Sequence, residues 1–277
     1  MTNIAITEVL QPVAPVEIIW EPKIFLPFHP NGMKFVSVDK EGKETDQWVV
    51  FSIGGGALAE ESDGASSVNT PDVYSMNSMT EILQWCERTG KSYWEYVKEC
   101  EDSDIWDYLQ EVWKTMQNAV KRGLEQEGVL PGPLNLRRKA STYYIRASGY
   151  KQSLQSRGLV FAYALAVSEE NASGGVIVTA PTCGSCGVMP AVLYHLAKSR
   201  EFSDTRILRA LATAGLVGNI VKTNASISGA EVGCQGEVGV ACAMASAAAN
   251  QLFGGSPAQI EYAAEMGLEH HLGMTCD

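Results

Sequence analysis

T-A-P-T-C-G-S-C-G at residues 179–187 begins the part of the chain on which the fold and site predictions rest. This part continues with K-T-N-A-S-I-S-G-A-E-V-G-C-Q-G-E-V-G-V-A-C at 222–242 and ends with E-H-H-L-G-M-T-C-D at 269–277. Five of the seven cysteines lie in these three segments, in or beside turns rich in glycine or serine. Glycine lets a backbone come close to a ligand, and thiols bind soft metals or carry out redox chemistry. The segments therefore predict a site that contains thiols.

The residues around these segments predict a helical core. The ranges 187–199, 205–221, 235–252 and 257–270 have helical length and are rich in Ala, Val, Leu and Met. Charge is sparse here, since Lys198 is the only formally charged residue in 171–199 and no Lys or Arg follows Glu231. Helices that are apolar on nearly every side are buried among other helices. We therefore expect these helices to pack together, beginning at Gly-, Ser- or Cys-rich turns.

Earlier helices are predicted from their ends and their apolar periodicity. Capping boxes begin at Ser78 and Ser92, each followed by Glu at the third position, and Gly90 ends the first of these helices. A third helix carries an apolar stripe from Ile105 to Val120 and ends near Gly123. The basic cluster at 136–141 is either a solvated face or a contact for an anion or partner.

The N-terminal residues predict a small β-containing unit. A turn at Pro30-Asn31-Gly32 precedes a strand over Lys34–Val38, and a second strand covers Gln47–Ile53. Gly54–Gly56 either cradle a ligand or form a tight turn, and residues 1–22 are interpreted as a loose tail. The turn-rich residues 59–76 contain the boundary. The predicted fold class is α+β, with the remnant of a small α/β domain in residues 1–70 followed by a predominantly all-α domain in 71–277.

The bulk composition limits the classes of partner. A net charge of -11 argues against binding nucleic acid or an anionic membrane, both of which require a basic surface. Seven cysteines, an odd number, form a poor disulfide framework and indicate a reducing compartment. The N-terminus lacks the pattern of a signal peptide, and the longest charge-free apolar run in the middle of the chain, Leu159–Val167, is far shorter than the roughly 20 residues that span a bilayer. We expect a cytoplasmic protein.

The thiols allow more than one interpretation. Cys183 and Cys186 have the C-x-x-C spacing of a redox dithiol, but the surroundings look helical rather than βαβ. Zinc would require a second pair of ligands at short range, and none is present. Cys242 is interpreted as a buried small residue. Cys234 and Cys276 lie at predicted helix edges, where a thiolate can point into a cavity.

Polar residues crowd the connection between two apolar helices. Lys222, Asn224, Ser226, Ser228 and Glu231 need partners there, because a buried unsatisfied polar group costs about 1–3 kcal/mol. The partner is either a bound ligand or the turn itself. His270 and His271 are close to Cys276 in the sequence, so at least one of the two imidazoles is a candidate for the same site.

Long blocks of the sequence carry a family resemblance. They are L-P-F-H-P-N-G-M at 26–33, S-I-G-G-G at 52–56, G-V-L-P-G-P-L at 128–134, A-L-A-V-S-E-E-N-A at 164–172, T-A-P-T-C-G-S-C-G-V-M-P-A-V-L at 179–193, N-A-S-I-S-G-A-E-V-G-C-Q-G-E-V-G-V-A-C at 224–242 and E-M-G-L-E-H-H-L-G-M-T-C-D at 265–277. From about residue 24 onward the chain resembles bacterial iron–sulfur-dependent L-serine dehydratases. The resemblance implies a lyase of amino-acid degradation and gluconeogenesis that converts L-serine to pyruvate and ammonia by β-elimination.

The resemblance also implies a cofactor and its ligands. In this family three cysteines hold a [4Fe–4S] cluster whose open iron polarises the substrate. The matching positions are Cys234, in the G-C-Q motif, and Cys276, in the T-C-D motif. The third ligand belongs to a proline–cysteine motif further on, and the family begins with a Ser-Ser-His-Thr motif. We expect both to be missing here, so that the chain is a fragment, half of a split gene or a degenerate copy, with a helical catalytic domain lacking its C-terminal end.

The remaining site residues follow from the same resemblance and from helix N-termini. Thr182, Ser185, Asn224, Ser226 and Ser228 would bind the substrate carboxylate, and the 26–33 block adds His29 and Asn31. Lys222 and His270 are candidates for the base that removes the Cα proton. A pyridoxal-phosphate enzyme is not expected, because no phosphate-binding Gly-rich loop accompanies Lys222.

The partner predictions are L-serine, with no nucleic acid and no membrane. We expect a homo-oligomer, or a partner chain that supplies the missing segments. Three alternatives remain: an active L-serine ammonia-lyase, a catalytically incomplete fragment or subunit of one, and a C-x-x-C thiol oxidoreductase.

Overall fold

The computed structural model describes residues 2–28, 31–54, 57–60 and 73–273. Contacts between residues divide the chain into two units, Met1–Asn69 and Thr70–Asp277. The first unit contains a small antiparallel sheet, and the second is built from helices. The predicted α+β fold class is therefore confirmed.

The first unit contains one helix and three strands among its described residues. They are α1 (Thr2–Leu10), β1 (Gly32–Val38), β2 (Glu44–Gly54) and β3 (Ala57–Ala59). The sheet has the order β1-β2-β3, and β1 and β2 pair so that Phe35 faces Trp48, with ring centroids 5.4 Å apart. Cross-strand aromatic pairs of this kind stabilise a sheet.

Two predictions for this unit need correction. The sequence predicts a loose tail over residues 1–22, but residues 2–10 form α1, which ends before Pro12 because proline cannot continue a helix. The sequence predicts that Gly32 lies in a turn, but it is the first residue of β1 and pairs with Phe51. A Cβ at Gly32 would overlap the side chain of Leu26, which explains the absence of a side chain there. Gly55 and Gly56 lie outside the described residues.

The second unit contains nine helices among its described residues. They are α2 (Met79–Thr89), α3 (Tyr93–Cys100), α4 (Ile105–Glu125), α5 (Ala140–Ser148), α6 (Gln152–Ala172), α7 (Val188–Arg200), α8 (Asp204–Asn224), α9 (Gly229–Leu252) and α10 (Pro257–Glu269). The caps behave as predicted: Glu81 N–H donates to Ser78 Oγ, Ser92 N–H donates to the Glu95 carboxylate, and Gly90 adopts a left-handed conformation. None of the described helices is both long and apolar enough to cross a bilayer.

Helix α4 joins the core through the predicted apolar stripe. Its buried face includes Trp113 and Met116, and the Trp113 indole donates to the Asp204 carboxylate at the start of α8, 3.1 Å away. Near its end α4 crosses α6 closely, since a Cβ at Gly123 would overlap the backbone carbonyl of Ala166. This glycine is required by the close approach of two backbones.

Helices α5 and α6 were not predicted from the sequence, and their packing is partly electrostatic. Glu169 on α6 accepts a hydrogen bond from the backbone N–H of Ala140 at the start of α5, 3.2 Å away. Anions at a helix N-terminus are stabilised by its dipole. Arg138, from the basic cluster, is buried beside Glu170, so for this residue the solvated-face interpretation is wrong.

The core of the second unit includes α7, α8, α9 and α10, and α9 packs against the other three of these helices. The four ranges predicted as helices are confirmed, but α8 and α9 extend further than expected. Lys222 and Asn224 lie in the last turn of α8, and Glu231 and Cys234 lie in α9. Helix α9 is kinked at Gly233, whose φ of 72° and ψ of 171° are not helical. The predicted polar connection is therefore only four residues long, 225–228.

Candidate functional site

Two hydroxyl side chains are buried in the turn that leads into α7. Thr182 and Ser185 are 6% and 2% exposed, and their hydroxyl oxygens are 3.4 Å apart. The turn is held to α6 by Asn171, whose side-chain amide donates to the carbonyl of Cys183 at 3.0 Å. Since α7 begins at Val188, this turn presents hydroxyls next to a helix N-terminus.

The connection between α8 and α9 satisfies part of its own polarity. Ser226 donates to the Glu231 carboxylate and accepts from the backbone N–H of Ser228 at 3.0 Å. Asn224 donates to the carbonyls of Ile220 and Asn77, at 3.0 and 2.6 Å. For Ser226 and Asn224 the self-satisfied turn therefore accounts for the side chain.

Ser228 is the buried hydroxyl of this connection. It is 8% exposed and is the N-cap residue of α9, but its side chain makes no capping hydrogen bond. The Ser226 hydroxyl and the Asn224 side-chain amide are already hydrogen-bonded within the protein. The Ser228 hydroxyl is therefore available to bind another group. The prediction that all three residues bind substrate stays untested.

Glu237 brings the two segments together, and the sequence reasoning missed it. The side chain is 9% exposed. A Cβ at Gly184 would overlap Oε1 of Glu237, and a Cβ at Gly229 would overlap Oε2, so the carboxylate lies against the backbone of both segments. The signal that could have found it is a lone charge, because Glu237 is the only charged residue between Glu231 and Glu261.

The C-x-x-C pair does not have the environment of a redox dithiol. Cys183 is exposed, whereas Cys186 is buried. Burial raises the pKa of the Cys186 thiol to about 12, and electrostatic interactions with Cys183 and Glu237 add to this effect. Redox-active cysteines have lowered pKa values, so the oxidoreductase alternative is not favoured.

Cys234, the first predicted iron ligand, is exposed and directly follows the kink at Gly233. The second, Cys276, lies outside the described residues. Among the residues that the structure describes, no group of three His, Cys, Asp or Glu side chains is placed to hold a metal ion. The described residues therefore contribute a single exposed thiol to the predicted ligand set.

The other predicted residues lie on different elements. Lys222 is exposed at the end of α8, and His270 is exposed at the end of α10. Its neighbour His271 lies with Nε2 3.6 Å from the sulfur of Cys242, so Cys242 is half-buried against an imidazole rather than fully buried as predicted. Asn31 belongs to the first unit, and its carbonyl accepts from Ser52 N–H at 3.0 Å, whereas His29 lies outside the described residues.

Comparison with known proteins identifies related sequences. A family model described as the serine dehydratase alpha chain matches residues 40–277, and one described as the serine dehydratase beta chain matches residues 5–63. The chain is 43% identical over 264 residues to an L-serine dehydratase of Streptomyces coelicolor, and 44% identical over 266 residues to L-serine dehydratase 1 of Escherichia coli. It is 34% identical over 269 residues to an L-serine dehydratase of Helicobacter pylori.

These alignments cover most of this chain but only part of each relative. They include 91%, 91% and 90% of the chain, respectively, and 58% of each of the three relatives. The chain thus spans less than two thirds of the length of the relatives it matches. Because the alpha-chain model covers 40–277, well over half of the residues, the chain belongs to the serine dehydratase alpha-chain family.

Proposed function

We propose that this chain binds L-serine and takes part in its β-elimination to pyruvate and ammonia, as an L-serine ammonia-lyase. The observation that supports this most is the convergence of two buried polar segments on Glu237, since Gly184 and Gly229 both leave room for its carboxylate. In a core with few charges, such a convergence is typical of a small-molecule site. The names of the relatives supply the substrate class.

The hydroxyls of the two segments are proposed to bind the substrate carboxylate. Thr182 and Ser185 are buried before α7, and Ser228 is buried at the start of α9. Helix N-termini carry partial positive charge and present N–H groups, so they favour anions. Hydroxyls at these positions can donate further hydrogen bonds and thereby orient the amino acid.

A [4Fe–4S] cluster is the proposed cofactor, with Cys234 and Cys276 as ligands. The exposed thiol of Cys234, beside the kink at Gly233, suits a thiolate ligand because a cluster needs accessible sulfur donors. The fit is partial, because no group of three His, Cys, Asp or Glu side chains among the described residues is placed to hold a metal, and the ligand set depends on Cys276 and a third thiolate. When bound, an iron with an open position supplies a Lewis acid to a leaving hydroxyl.

Lys222 and His270 remain the candidates for the proton acceptor at Cα. Neither forms an ion pair within the described residues, so neither is committed to a structural salt bridge. Both lie at helix ends, Lys222 on α8 and His270 on α10. A base must reach the Cα proton of a bound substrate, and substitution of each residue tests this requirement.

We also propose that the protein is cytoplasmic. We further propose that it assembles into a homo-oligomer or with a partner chain. Support for assembly comes from large apolar side chains exposed on α5 and α6, namely Ile145, Leu154 and Phe161. Exposed apolar surface of this kind often marks an interface.

The experiment is anaerobic reconstitution of the purified protein with iron and sulfide, followed by assay of pyruvate and ammonia from L-serine. We expect visible absorption of thiolate-bound iron and formation of both products in equal amounts. A protein that is loaded with iron but makes no pyruvate would contradict the proposed activity. We expect the wild-type protein to have no thiol-exchange activity. If it has such activity, replacement of both Cys183 and Cys186 with Ser shows whether this pair is responsible.

A further inference from the structure

The Glu237 side chain is mostly buried, and none of the described residues pairs with its carboxylate. The side chain is 9% exposed, and within the described residues it accepts no hydrogen bond and forms no ion pair. A buried carboxylate is costly unless it is paired and hydrogen-bonded. The Glu237 carboxylate therefore requires a partner group with a positive charge and N–H donors.

The two segments that lie against Glu237 contain little positive charge, and Lys222, in the last turn of α8, is exposed. No Lys or Arg occurs after Glu231, and Lys198 is the only one in 171–199. Lys198 lies near the C-terminal end of α7, where its ammonium is 5.6 Å from the centroid of the Tyr194 ring. The turn with Thr182 and Ser185 precedes the opposite end of that helix.

The turn and the helix start beside the Glu237 carboxylate favour binding of an anion. Oε1 lies against Gly184, within the turn that carries Thr182 and Ser185, and Oε2 lies against Gly229 at the start of α9. Hydroxyls and helix N-termini suit an anion, whereas Glu237 suits a cation. An α-amino acid carries both charges on one carbon, so a single bound zwitterion satisfies both halves of this arrangement.

We propose that Glu237 is a substrate-binding residue that accepts hydrogen bonds from the α-ammonium group of the amino acid. The inference rests on the proposed function, because it assigns a role within the same site. Glu237 thereby selects α-amino acids against α-hydroxy acids of the same shape. Gly184 and Gly229 contribute to this ammonium site, since a side chain at either position would displace the Glu237 carboxylate.

A purely structural role for Glu237 makes a different prediction. If the carboxylate only held the two segments together, its loss would weaken every ligand of the site to a similar degree. Binding of the ammonium, by contrast, affects only ligands that possess one. The pair L-serine and glycerate separates the two roles, because glycerate has the same carboxylate and terminal hydroxyl but a hydroxyl in place of the ammonium.

The test measures dissociation constants of L-serine and glycerate by calorimetry for the wild-type protein, E237Q and E111Q. E237Q is nearly isosteric, and E111Q removes an exposed carboxylate on α4. We expect E237Q to weaken L-serine binding between about tenfold and a hundredfold, as is typical for loss of a charged hydrogen bond, while glycerate changes less than about twofold. E111Q should match the wild type with both ligands. Equal weakening of both ligands by E237Q, or no weakening of L-serine, would overturn the inference.

The wild-type protein alone provides a second test that does not depend on the folding of a variant. We expect it to bind L-serine at least about tenfold more tightly than glycerate, and equal affinities would overturn the inference. A wild-type protein that makes pyruvate but fails these tests refutes the role of Glu237 alone. One that passes them but makes no pyruvate refutes the proposed reaction and leaves the ammonium site supported.

Discussion

Arg122 Nε donates a hydrogen bond to Oε2 of Glu170 over 2.8 Å, and this contact joins the end of α4 to the end of α6. Glu170 is 3% exposed, and its Oε1 lies 3.8 Å from Nη1 of Arg138. The guanidinium of Arg122 also donates to the carbonyl of Val176, at 2.6 Å. One carboxylate thus holds together two helices and the basic segment before α5.

The first prediction concerns the stability that depends on this carboxylate. E170Q should lower the free energy of unfolding by about 3 kcal/mol, because removal of one partner leaves the buried charge of Arg138 uncompensated. Urea unfolding followed by circular dichroism measures the change. E111Q, an exposed carboxylate on α4, is the control and should change the free energy by less than about 0.5 kcal/mol. A loss in E170Q no larger than that of the control would show that the network contributes little.

The second prediction uses the space beside Glu237. In G184A the new methyl group would overlap Oε1 of Glu237, so the carboxylate must move. We expect the KM for L-serine to rise about tenfold, the effect of losing roughly one hydrogen bond to a charged group. Steady-state kinetics of pyruvate formation measures it.

The matched control for that substitution is G215A. A Cβ at Gly215, inside α8, would have no atom within 4 Å, so it has room. Alanine also favours the helix over glycine by about 1 kcal/mol. G215A should therefore keep the wild-type KM and melt at the same or a higher temperature. A KM in G184A equal to that of G215A would mean that the position of the Glu237 carboxylate does not matter.

The third prediction is that the two cysteines of the C-x-x-C pair react differently. Burial raises the pKa of Cys186 from 9.0 to about 12, so its thiolate fraction at pH 8 should be about a thousandfold lower than that of an ordinary thiol. Iodoacetamide should label the exposed Cys183 and leave Cys186 unmodified in the folded protein. Mass spectrometry of the peptides decides this, and both cysteines should react in denaturant.

The raised pKa of Cys186 also predicts how stability depends on pH. A folded-state pKa above the unfolded value means that the neutral thiol is preferred in the folded protein. The contribution is fully present below about pH 9 and is lost as the pH rises towards 12, because the unfolded state releases its proton first. The C186A variant should therefore show a weaker loss of stability than the wild type over this pH range.

The fourth prediction separates ligands of the proposed cluster from other thiols. After anaerobic reconstitution, C234S and C276S should each retain less than about half of the wild-type iron, because thiolate ligands hold such clusters. C242S should retain it, since the Cys242 sulfur already contacts Nε2 of His271 at 3.6 Å. Iron and sulfide analysis gives the readout independently of activity. Full iron loading of C234S would remove that residue from the ligand set.

Local sequence signals were sufficient for many elements. The helix predicted over 257–270 is observed at Pro257–Glu269 because Ser256 and Gln259 form a capping box that depends on neighbouring residues only. The strand predicted over Gln47–Ile53 lies within Glu44–Gly54 for a similar reason, its β-branched and aromatic content. Helices α5 and α6 were not predicted because neither begins at a residue type that favours an N-cap, since their N-cap residues are Lys139 and Lys151.

For the site, the sequence selected Thr182, Ser185 and Ser228 through the family resemblance and through their position at predicted helix N-termini, and the structure shows that all three are buried. The sequence also placed the chain in its family through continuous motifs. Only the tertiary structure decided that Glu237 lies against both Gly184 and Gly229. Gly184 is separated from Glu237 by helices α7 and α8, so their proximity depends on how α9 packs against α7, and no local pattern encodes that contact.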